Sequence, residues 1–281
     1  MRDTCYFCHI KTIDNLIKKH KPEQEQAEEF LFSINKFICN NWNQSNPYLA
    51  TGIYRIARKV LNQNELFKEE KHNANLLLIN LYDVWKKMVY NAENPFHMAT
   101  KLAVIGNVID YGAHCVEQDI INQINNLLNK ELAVDESDKL YKKIRNAKSI
   151  LYLGDNAGEI VFDKLFLEYI NHPNVVFAVR GKPVINDITI NDARQIEIEQ
   201  YCKLISNGYD APSTILDHCS EEFKQIFNKA DLIISKGQGN FEGLMESKKE
   251  NLFFLLMAKC NPMAELLGVQ KGDLIVAQNK I

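Results

Sequence analysis

The segment SILYLGDNAGEI, residues 149–160, contains the features that decide the fold. An apolar run ends abruptly at Gly154, the oxygen-bearing side chains of Asp155 and Asn156 follow it, and Gly158 opens a predicted helix. This order predicts a strand, then a loop, then a helix start. Ligands of open α/β sheets bind beyond the carboxyl ends of the strands, so we expect function at Asp155 and Asn156.

The region before this segment predicts helices alone. Over residues 1–147, Leu, Ile, Phe and Ala recur at spacings of three and four, which is typical of amphipathic helices. Pro22, Pro47 and Pro95 fall at three predicted helix starts, where a missing amide proton does little harm. The predicted helices cover 5–20, 23–41, 48–62, 68–91, 96–112, 116–131 and 136–147. We therefore expect an all-helical N-terminal domain over residues 1–147.

The region after residue 148 has a different pattern, in which short apolar runs alternate with polar loops and helical segments. The predicted strands cover 150–153, 175–179, 203–206, 232–235, 252–257 and 273–277. Strands that alternate with helices predict a mostly parallel sheet covered on both faces. We expect this α/β domain over residues 148–281. No Gly/Ser-rich linker separates it from the helical domain, so the two should pack tightly.

The composition narrows the class of partner. The chain of 281 residues has 33 basic and 36 acidic residues and a formal charge of -3, without the basic excess of a general nucleic-acid binder. Small-molecule partners are favoured. The N-terminus lacks the apolar core of a signal peptide and no run approaches the roughly 18 apolar residues of a membrane span, so no membrane association is expected. Seven cysteines, an odd number, favour reduced thiols and a cytoplasmic location. The oligomeric state stays open.

Polar side chains and glycines recur directly after the predicted strands, and in a parallel sheet these positions meet along one edge. They are Asp155 and Asn156; Arg180, Gly181, Asn186 and Asp187; Asn207, Gly208 and Asp210; Lys236, Gly237, Gln238, Gly239 and Asn240; and Lys259. Oxygen ligands suit a hard divalent cation such as magnesium or manganese, for which Asp155, Asn156 and Asp187 would suffice. Glycines and a lysine suit a phosphate group. The pattern predicts a site for a cation and an anion.

Two other interpretations use the same residues. Taken alone, Gly154, Asp155 and Asn156 could be turn and cap residues, but recurrence at three strand ends favours a shared site. A glycine-rich loop for a nucleotide or for the S-adenosylmethionine of a methyltransferase is disfavoured. Asn156 and Glu159 stand where that fingerprint has its second and third glycines, and the second strand ends at Arg180 without an acid.

Three segments in order carry a resemblance to a known family. They are GDNAGE at 154–159, VRGKPVINDIT at 179–189 and ISKGQGNFE at 234–242. They closely resemble the damage-control phosphatase family, long known only as a domain of unknown function. The similarity extends into the helical half through CYFC at 5–8, NPF at 94–96 and GNVID at 106–110, and the cysteine pair resembles the prokaryotic branch. It covers essentially the whole chain.

The resemblance implies a metal-dependent phosphatase of small phosphorylated metabolites, with a helical domain packed on a Rossmann-like α/β domain. A sugar phosphate, a nucleotide or a phosphopantetheine-like compound would be the substrate. Family residues that bind a divalent metal, which would be Mg, Mn, Co or Ni, match Asp155, Asn156 and Asp187. The lysine of the third motif matches Lys236, implied to contact phosphate. Asp155 and Lys236 are the expected catalytic residues.

The resemblance implies that Asn107 and Asp110 line the substrate pocket, and the residues within and after the strand-end motifs add further candidates for substrate contact. Those expected to contact the substrate are Asn107, Asp110, Glu159, Arg180, Asn207, Gly237 and Asn240. Asn107 and Asp110 are three residues apart and so lie on one face of a helix. One departure from the family pattern is Ser213, where a glycine is expected after Pro212. It leaves the shape of one pocket loop, and therefore substrate choice, open.

The mechanism is left with two alternatives. The nucleophile is either a metal-polarised water or the Asp155 carboxylate itself. A function of a different class also stays open, namely a non-catalytic protein that binds and senses a phosphorylated metabolite. Binding without phosphate release would distinguish it.

Cys5 and Cys8 have the spacing of half a zinc site, but no second Cys-x-x-Cys follows in the chain. Three interpretations stay open for the pair: structural packing of small apolar side chains, a structural or accessory metal, and redox chemistry.

Overall fold

The computed structural model describes residues 3–106 and 117–280. Its N-terminal part is mainly helical, and polar caps define several helix starts. The Ser45 hydroxyl accepts the Tyr48 amide at 3.4 Å and the Asn94 side chain accepts the His97 amide at 3.1 Å, each with a proline in the first two helical positions. The helices are α1 Asp3–His20, α2 Gln24–Asn40, α3 Asn46–Val60, α4 Lys68–Asn80, α5 Tyr82–Tyr90, α6 Pro95–Ile105, α7 Glu117–Leu128 and α8 Ser137–Asn146.

A seven-stranded sheet forms the centre of the molecule, with the strand order β1-β7-β6-β5-β2-β3-β4. The strands are β1 Leu132–Asp135, β2 Ile150–Leu153, β3 Val175–Val179, β4 Lys203–Ser206, β5 Leu232–Lys236, β6 Leu252–Met257 and β7 Leu274–Gln278. Neighbouring strands are parallel except β6 and β7, which are antiparallel. All four residues of β2 are buried, which explains its continuous apolar sequence. The prediction of a mostly parallel sheet is confirmed.

Helices and apolar side chains cover both faces of the sheet. The remaining helices are α9 Glu159–Ile170, α10 Ile190–Gln195, α11 Glu221–Lys229, α12 Gly237–Leu244 and α13 Asn261–Leu267. Phe162 and Phe166 of α9 belong to the core of one face, and Phe223 and Phe227 of α11 belong to the core of the other. None of the helices within the described residues combines the length and apolar character that crossing a membrane requires.

One core runs from the helical part of the chain into the α/β part. The rings of Trp85 and Phe162 meet edge to face at 5.5 Å, and those of Phe96 and Phe166 lie 5.9 Å apart. The segment of α6 from Ala99 to its end at Ile105 is buried throughout. The two parts therefore pack tightly, as expected, while the division into domains at 147 and 148 stays a prediction.

Two helical predictions are wrong. Residues 1–147 were expected to hold no strand, but Leu132–Asp135 forms β1, which pairs with β7 at the edge of the sheet. The continuous helix predicted over 68–91 is two helices that meet at Leu81. The helices predicted over 96–112 and 116–131 extend into 107–116, outside the described residues. The helix predicted over 136–147 is confirmed as α8.

Candidate functional site

The strand order brings three predicted loops to one edge of the sheet. Leu153 at the end of β2 pairs in parallel with Ala178 of β3 on one side and Ser235 of β5 on the other. The chain segments that follow these strands therefore begin side by side. We call residues 154–158 the first ligand loop and residues 180–189 the second ligand loop. The expectation that polar strand-end residues gather at one edge is confirmed for these segments.

The two ligand loops are joined by main-chain hydrogen bonds. The Ala157 amide donates to the Asn186 carbonyl at 2.9 Å, and the Ile188 amide donates to the Asp155 carbonyl at 2.9 Å. Asn156 and Asp187 face each other in an isolated antiparallel bridge. The side chains of the first loop are thus held at a fixed distance from those of the second.

Gly154 permits this close approach. A Cβ atom added there would lie 2.5 Å from the Ile188 Cδ1 atom and 2.7 Å from the Phe177 ring. Both neighbours are buried in the core, so neither could move aside easily. A side chain at this position would push the second ligand loop away from the first.

Arg180 binds a carboxylate of each ligand loop. Its Nη2 atom donates to Asp155 Oδ1 at 3.1 Å and its Nε atom donates to Asp187 Oδ1 at 2.7 Å. Its Nη1 atom donates to Asn240 Oδ1 at 2.8 Å, and the side chain is 2% exposed. Arg180 was predicted to bind substrate, but its guanidinium is occupied by protein groups. The sequence indicated the residue and did not indicate this bridge.

Asp155, Asn156 and Asp187 lie together and offer oxygen donors to a cation. The Asn156 amide donates to Asp155 Oδ2 at 2.8 Å, while the shared guanidinium holds Asp155 beside Asp187. Two carboxylates and one carboxamide oxygen suit a hard divalent cation that keeps several waters. Over residues 3–106 and 117–280, no group of three His, Cys, Asp or Glu side chains is placed to hold a metal, and this set has two such side chains and one carboxamide.

Burial and a neighbouring carboxylate disfavour the charged form of Asp187. Burial raises the pKa of Asp187 to about 7; Arg180 opposes this increase, and the neighbouring Asp155 carboxylate adds to it. A carboxylate with a raised pKa is one whose negative charge is incompletely compensated by its surroundings. A second positive charge between Asp155 and Asp187 would compensate it.

Lys236, the last residue of β5, is fully buried and binds two acids of α9. Its ammonium donates to Glu159 Oε1 at 2.5 Å and to Asp163 Oδ1 at 2.6 Å. The Tyr152 hydroxyl donates to Asp163 Oδ1 at 2.6 Å. Burial alone would lower the pKa of Lys236, but Asp163 and Glu159 raise it above its ordinary value. Lys236 was predicted to contact phosphate; in this structure its donors point to carboxylates.

Glu159 connects this lysine to the first ligand loop. The Asn156 amide donates to Glu159 Oε2 at 3.3 Å. Burial raises the pKa of Glu159 to about 7; Lys236 opposes this increase, and Asp155 adds to it. Sequence reasoning missed Asp163. The signal was its position four residues after Glu159, which places two acids on one helix face.

Other residues predicted to contact substrate have partners within the protein. The Asn240 amide donates to the carbonyls of Gly154 and Lys236, and the Asn207 side chain accepts the Tyr209 amide. Gly237 begins α12 with a positive φ of 78°, a backbone conformation that favours glycine. Asn107 and Asp110 lie outside the described residues. The substrate contacts stay a prediction.

Ser213, the departure from the family pattern, packs against α12. A Cβ atom added at Gly243 would lie 2.3 Å from the Ser213 hydroxyl oxygen, and one at Gly239 would lie 2.2 Å from the Pro212 carbonyl oxygen. The loop after β4 therefore lies directly on the helix that follows Lys236. Its two contact points on α12 require glycine.

Cys5 is partly buried and Cys8 is exposed, both on α1. Partial shielding of its sulfur from water raises the pKa of the Cys8 thiol, and the neighbouring Cys260 and Glu242 raise it further. No disulfide joins the cysteines within the described residues. The three interpretations of the Cys5 and Cys8 pair stay open.

Comparisons with known proteins cover nearly the whole chain. A family model for the damage-control phosphatase ARMT1-like domain matches residues 1–275. A damage-control phosphatase of Pyrococcus horikoshii is 32% identical over 281 residues, covering 98% of this chain and 97% of its own length. An uncharacterized protein of Methanocaldococcus jannaschii is 34% identical over 284 residues, covering 97% and 93%.

The fold comparison agrees with the sequence comparisons. The crystal structure of a DUF89 family protein from Pyrococcus horikoshii matches with a TM-score of 0.90 and 31% identity, covering 100% of this chain and 99% of that one. The resemblance carried by the three motifs is confirmed. The chain belongs to the ARMT1-like family of damage-control phosphatases.

Proposed function

We propose that this chain is a divalent-metal-dependent phosphomonoester hydrolase that acts on small phosphorylated metabolites. Its membership of a damage-control phosphatase family supports the phosphatase activity. The observation that carries the proposal is the meeting of Asp155, Asn156 and Asp187 from two loops at the carboxyl edge of the sheet, with Arg180 bound to both carboxylates.

Asp155, Asn156 and Asp187 would hold the cation. When bound, a magnesium, manganese, cobalt or nickel ion would act as a Lewis acid that neutralises charge on the phosphoryl oxygens. Arg180 keeps the two carboxylates oriented and limits their mutual repulsion. Asn156 contacts Asp155 and Glu159 through its amide nitrogen, which fixes the direction of its oxygen.

The phosphoryl group would lie between these ligands and the start of α12. The first amides of a helix lack partners within the helix and suit phosphate. Gly237 stands at this start, directly after Lys236. Because the Lys236 ammonium binds Glu159 and Asp163, we assign it an electrostatic role: it holds these acids in place and places positive charge behind the helix start.

The proposal is tested by phosphate release from sugar phosphates, nucleotides and phosphopantetheine-like compounds, with Mg, Mn, Co and Ni in turn. Asp155→Ala and Asp187→Ala should each lower the metal-dependent rate by at least roughly a hundredfold. Asp83→Ala, at an exposed position of α5, is the matched control and should keep full activity. Full activity in both site variants would overturn the assignment. Ligand binding without phosphate release from any compound would favour a sensor.

Two nucleophiles, water and the Asp155 carboxylate, are distinguished by trapping. Attack by the carboxylate would form an acyl-phosphate and release the alcohol, and water would then cleave the acyl-phosphate to regenerate Asp155. Borohydride added during turnover would reduce that acyl-phosphate, and mass spectrometry would find the modified residue 155. An unmodified Asp155 under conditions of rapid turnover would exclude the covalent route.

A further inference from the structure

Helix α4 contacts the first ligand loop directly and is linked to the second through Asp192, although it supplies none of the proposed ligands. The side chain of Asn75 is 2% exposed, and its Oδ1 atom accepts the Gly158 amide at 2.7 Å. Gly158 lies two residues after Asn156 and has a positive φ of 77°. Its amide precedes the first turn of α9 and finds its partner in a different part of the chain. Asn75 therefore fixes the end of the first ligand loop.

Lys71, one turn earlier on α4, is tied to the end of the second ligand loop. Its fully buried ammonium lies 2.6 Å from Glu65 Oε1 and 2.6 Å from Asp192 Oδ2. The same Asp192 oxygen accepts the Thr189 amide and the Thr189 hydroxyl, both at 2.7 Å, in the capping box that starts α10. Thr189 lies two residues after Asp187. Lys71 therefore fixes the exit of the second loop.

The two contacts act as one unit. Lys71 and Asn75 are four residues apart and so lie on the same face of α4. The Asn75 amide nitrogen also donates to the Asp192 carbonyl at 3.4 Å, so Asp192 binds both residues. We call Lys71 and Asn75 the α4 pair. It joins the first loop directly at Gly158, two residues beyond Asn156, and the second loop through Asp192, which binds Thr189 two residues beyond Asp187.

Lys71 and Asn75 are polar although they lie on the buried face of α4. A buried lysine paired with two acids often stabilises a protein no more than apolar side chains of similar volume would. Lys71 stands where the packing of α4 alone would accept an apolar residue, since Ala74 and Leu78 on the same face are buried. What charged and amide groups add is directional contact, which sets where a loop lies relative to the helix.

We infer that Lys71 and Asn75 are positioning residues that set the spacing of the two ligand loops and thereby the affinity for the divalent cation. The inference rests on the proposed function, because it concerns the same cation. Partners that orient metal ligands typically change metal affinity by roughly 10-fold to 100-fold when they are removed. The pair was not indicated by any motif in the sequence.

The test measures Mn²⁺ binding to the whole chain by calorimetry, together with the melting temperature of the metal-free protein. Asn75→Ala removes the acceptor of the Gly158 amide and should weaken Mn²⁺ binding roughly 10-fold or more. Asn75→Asp keeps that acceptor and should retain most of the affinity. Lys71→Met should weaken binding as well. Leu76→Ala, at a position of α4 that is 45% exposed, is the control and should bind Mn²⁺ as the wild type does.

The outcomes separate positioning from stability. A lowered melting temperature with wild-type Mn²⁺ affinity in Asn75→Ala would overturn the inference, because the residue would then be structural only. In assays with substrate, the metal concentration for half-maximal rate should rise in Asn75→Ala, while the rate at saturating metal recovers.

The inference and the proposed function fail in different ways. A wild-type protein that binds no Mn²⁺, or an Asp187→Ala variant that binds it normally, would overturn the proposed function and with it the cation that the α4 pair serves. Normal Mn²⁺ binding by wild type, loss in Asp187→Ala and wild-type affinity in Asn75→Ala would overturn the role of the α4 pair alone.

Discussion

Arg180 and Lys236 are both buried cations at the carboxyl edge of the sheet, and each binds two carboxylates. The acids of Lys236, Glu159 and Asp163, stand four residues apart on one helix. The acids of Arg180, Asp155 and Asp187, come from two loops. The first arrangement is held by the geometry of α9. The second depends on how two loops are held relative to each other.

Under the proposed function the two cations have different roles: Arg180 binds the proposed metal ligands, and Lys236 holds two acids of α9 behind the start of α12. Lys236 compensates acids that are not proposed as metal ligands, so its ion pairs should persist in every state of the protein. Arg180 compensates the carboxylates that would hold a cation, so its contribution to stability should depend on whether that cation is present. Charge and burial are similar in the two networks. They differ because the acids of Lys236 come from one helix and those of Arg180 come from two loops.

Lys236→Met should have the largest effect on stability. Two buried carboxylates would lose the ammonium that binds both of them, and breaking a buried pair from one side costs about 3 to 5 kcal/mol. Denaturant unfolding at pH 7 without divalent metal would measure the free energy. Lys18→Met, which removes an exposed pair of α1, should change it by less than about 0.5 kcal/mol. If both variants lost the same small free energy of unfolding, burial would not determine how much the Lys236 ion pairs contribute to stability.

Arg180→Met should destabilise the metal-free protein somewhat less than Lys236→Met, by about 3 kcal/mol. Saturating Mn²⁺ should recover more stability in this variant than in the wild type, because the cation would then supply the positive charge that Asp155 and Asp187 lost with Arg180. In Lys236→Met the recovery should equal that of the wild type. Arg194→Met, at an exposed pair, is the control. Equal recovery in the two buried variants would contradict the comparison.

Asp210 offers a smaller and more exposed case of a shared acid. Burial would raise its pKa, but hydrogen bonds from Arg55 and Arg58 lower the pKa below its ordinary value. The Arg55 side chain is 47% exposed, so solvent weakens the pair. A lowered acid pKa contributes stability that is present above the unfolded-state pKa and is lost as the pH falls through the folded-state value.

Asp210→Asn should therefore lower the free energy of unfolding at pH 7 by about 1 kcal/mol or less. The difference between variant and wild type should shrink as the pH falls below about 4, because the unfolded state becomes protonated there and the folded Asp210, with its lowered pKa, follows at lower pH. Chemical unfolding at pH 7 and at pH 3 would measure it. A difference that persists unchanged at pH 3 would show that packing, and not charge, is responsible.

Most of the fold could be predicted because its elements carry local patterns. Strands β2, β3 and β4 lie where the apolar runs predicted them, and β5 extends only one residue further, to Lys236. The edge strand β1 could not be found in this way. It has four residues with alternating exposure, and it is a strand because β7 is there to pair with it. The break at Leu81 lacks a glycine or proline that would have marked it.

The residues of the candidate site were predicted better than their contacts. Asp155 and Asn156 closely follow β2 and Asp187 lies in the loop after β3, so the strand pattern placed all three at one edge. The predicted substrate contacts Arg180 and Asn240 bind protein groups, since Arg180 donates to Asn240 as well as to the two carboxylates. A side chain at a strand end can point to a ligand or to a neighbouring loop, and the sequence does not distinguish these directions.

The sequence by itself determined the mostly parallel sheet, most of the helices around it and the family, because apolar periodicity and motif order are properties of short segments. Only the tertiary structure decided which buried lysine or arginine binds which acid. Lys71 and Asp192 are 121 positions apart, the difference between their residue numbers, and nothing near either residue encodes the contact. Such pairs form when packed helices and strands bring distant positions within hydrogen-bond distance, and burial then requires that each charge have a partner.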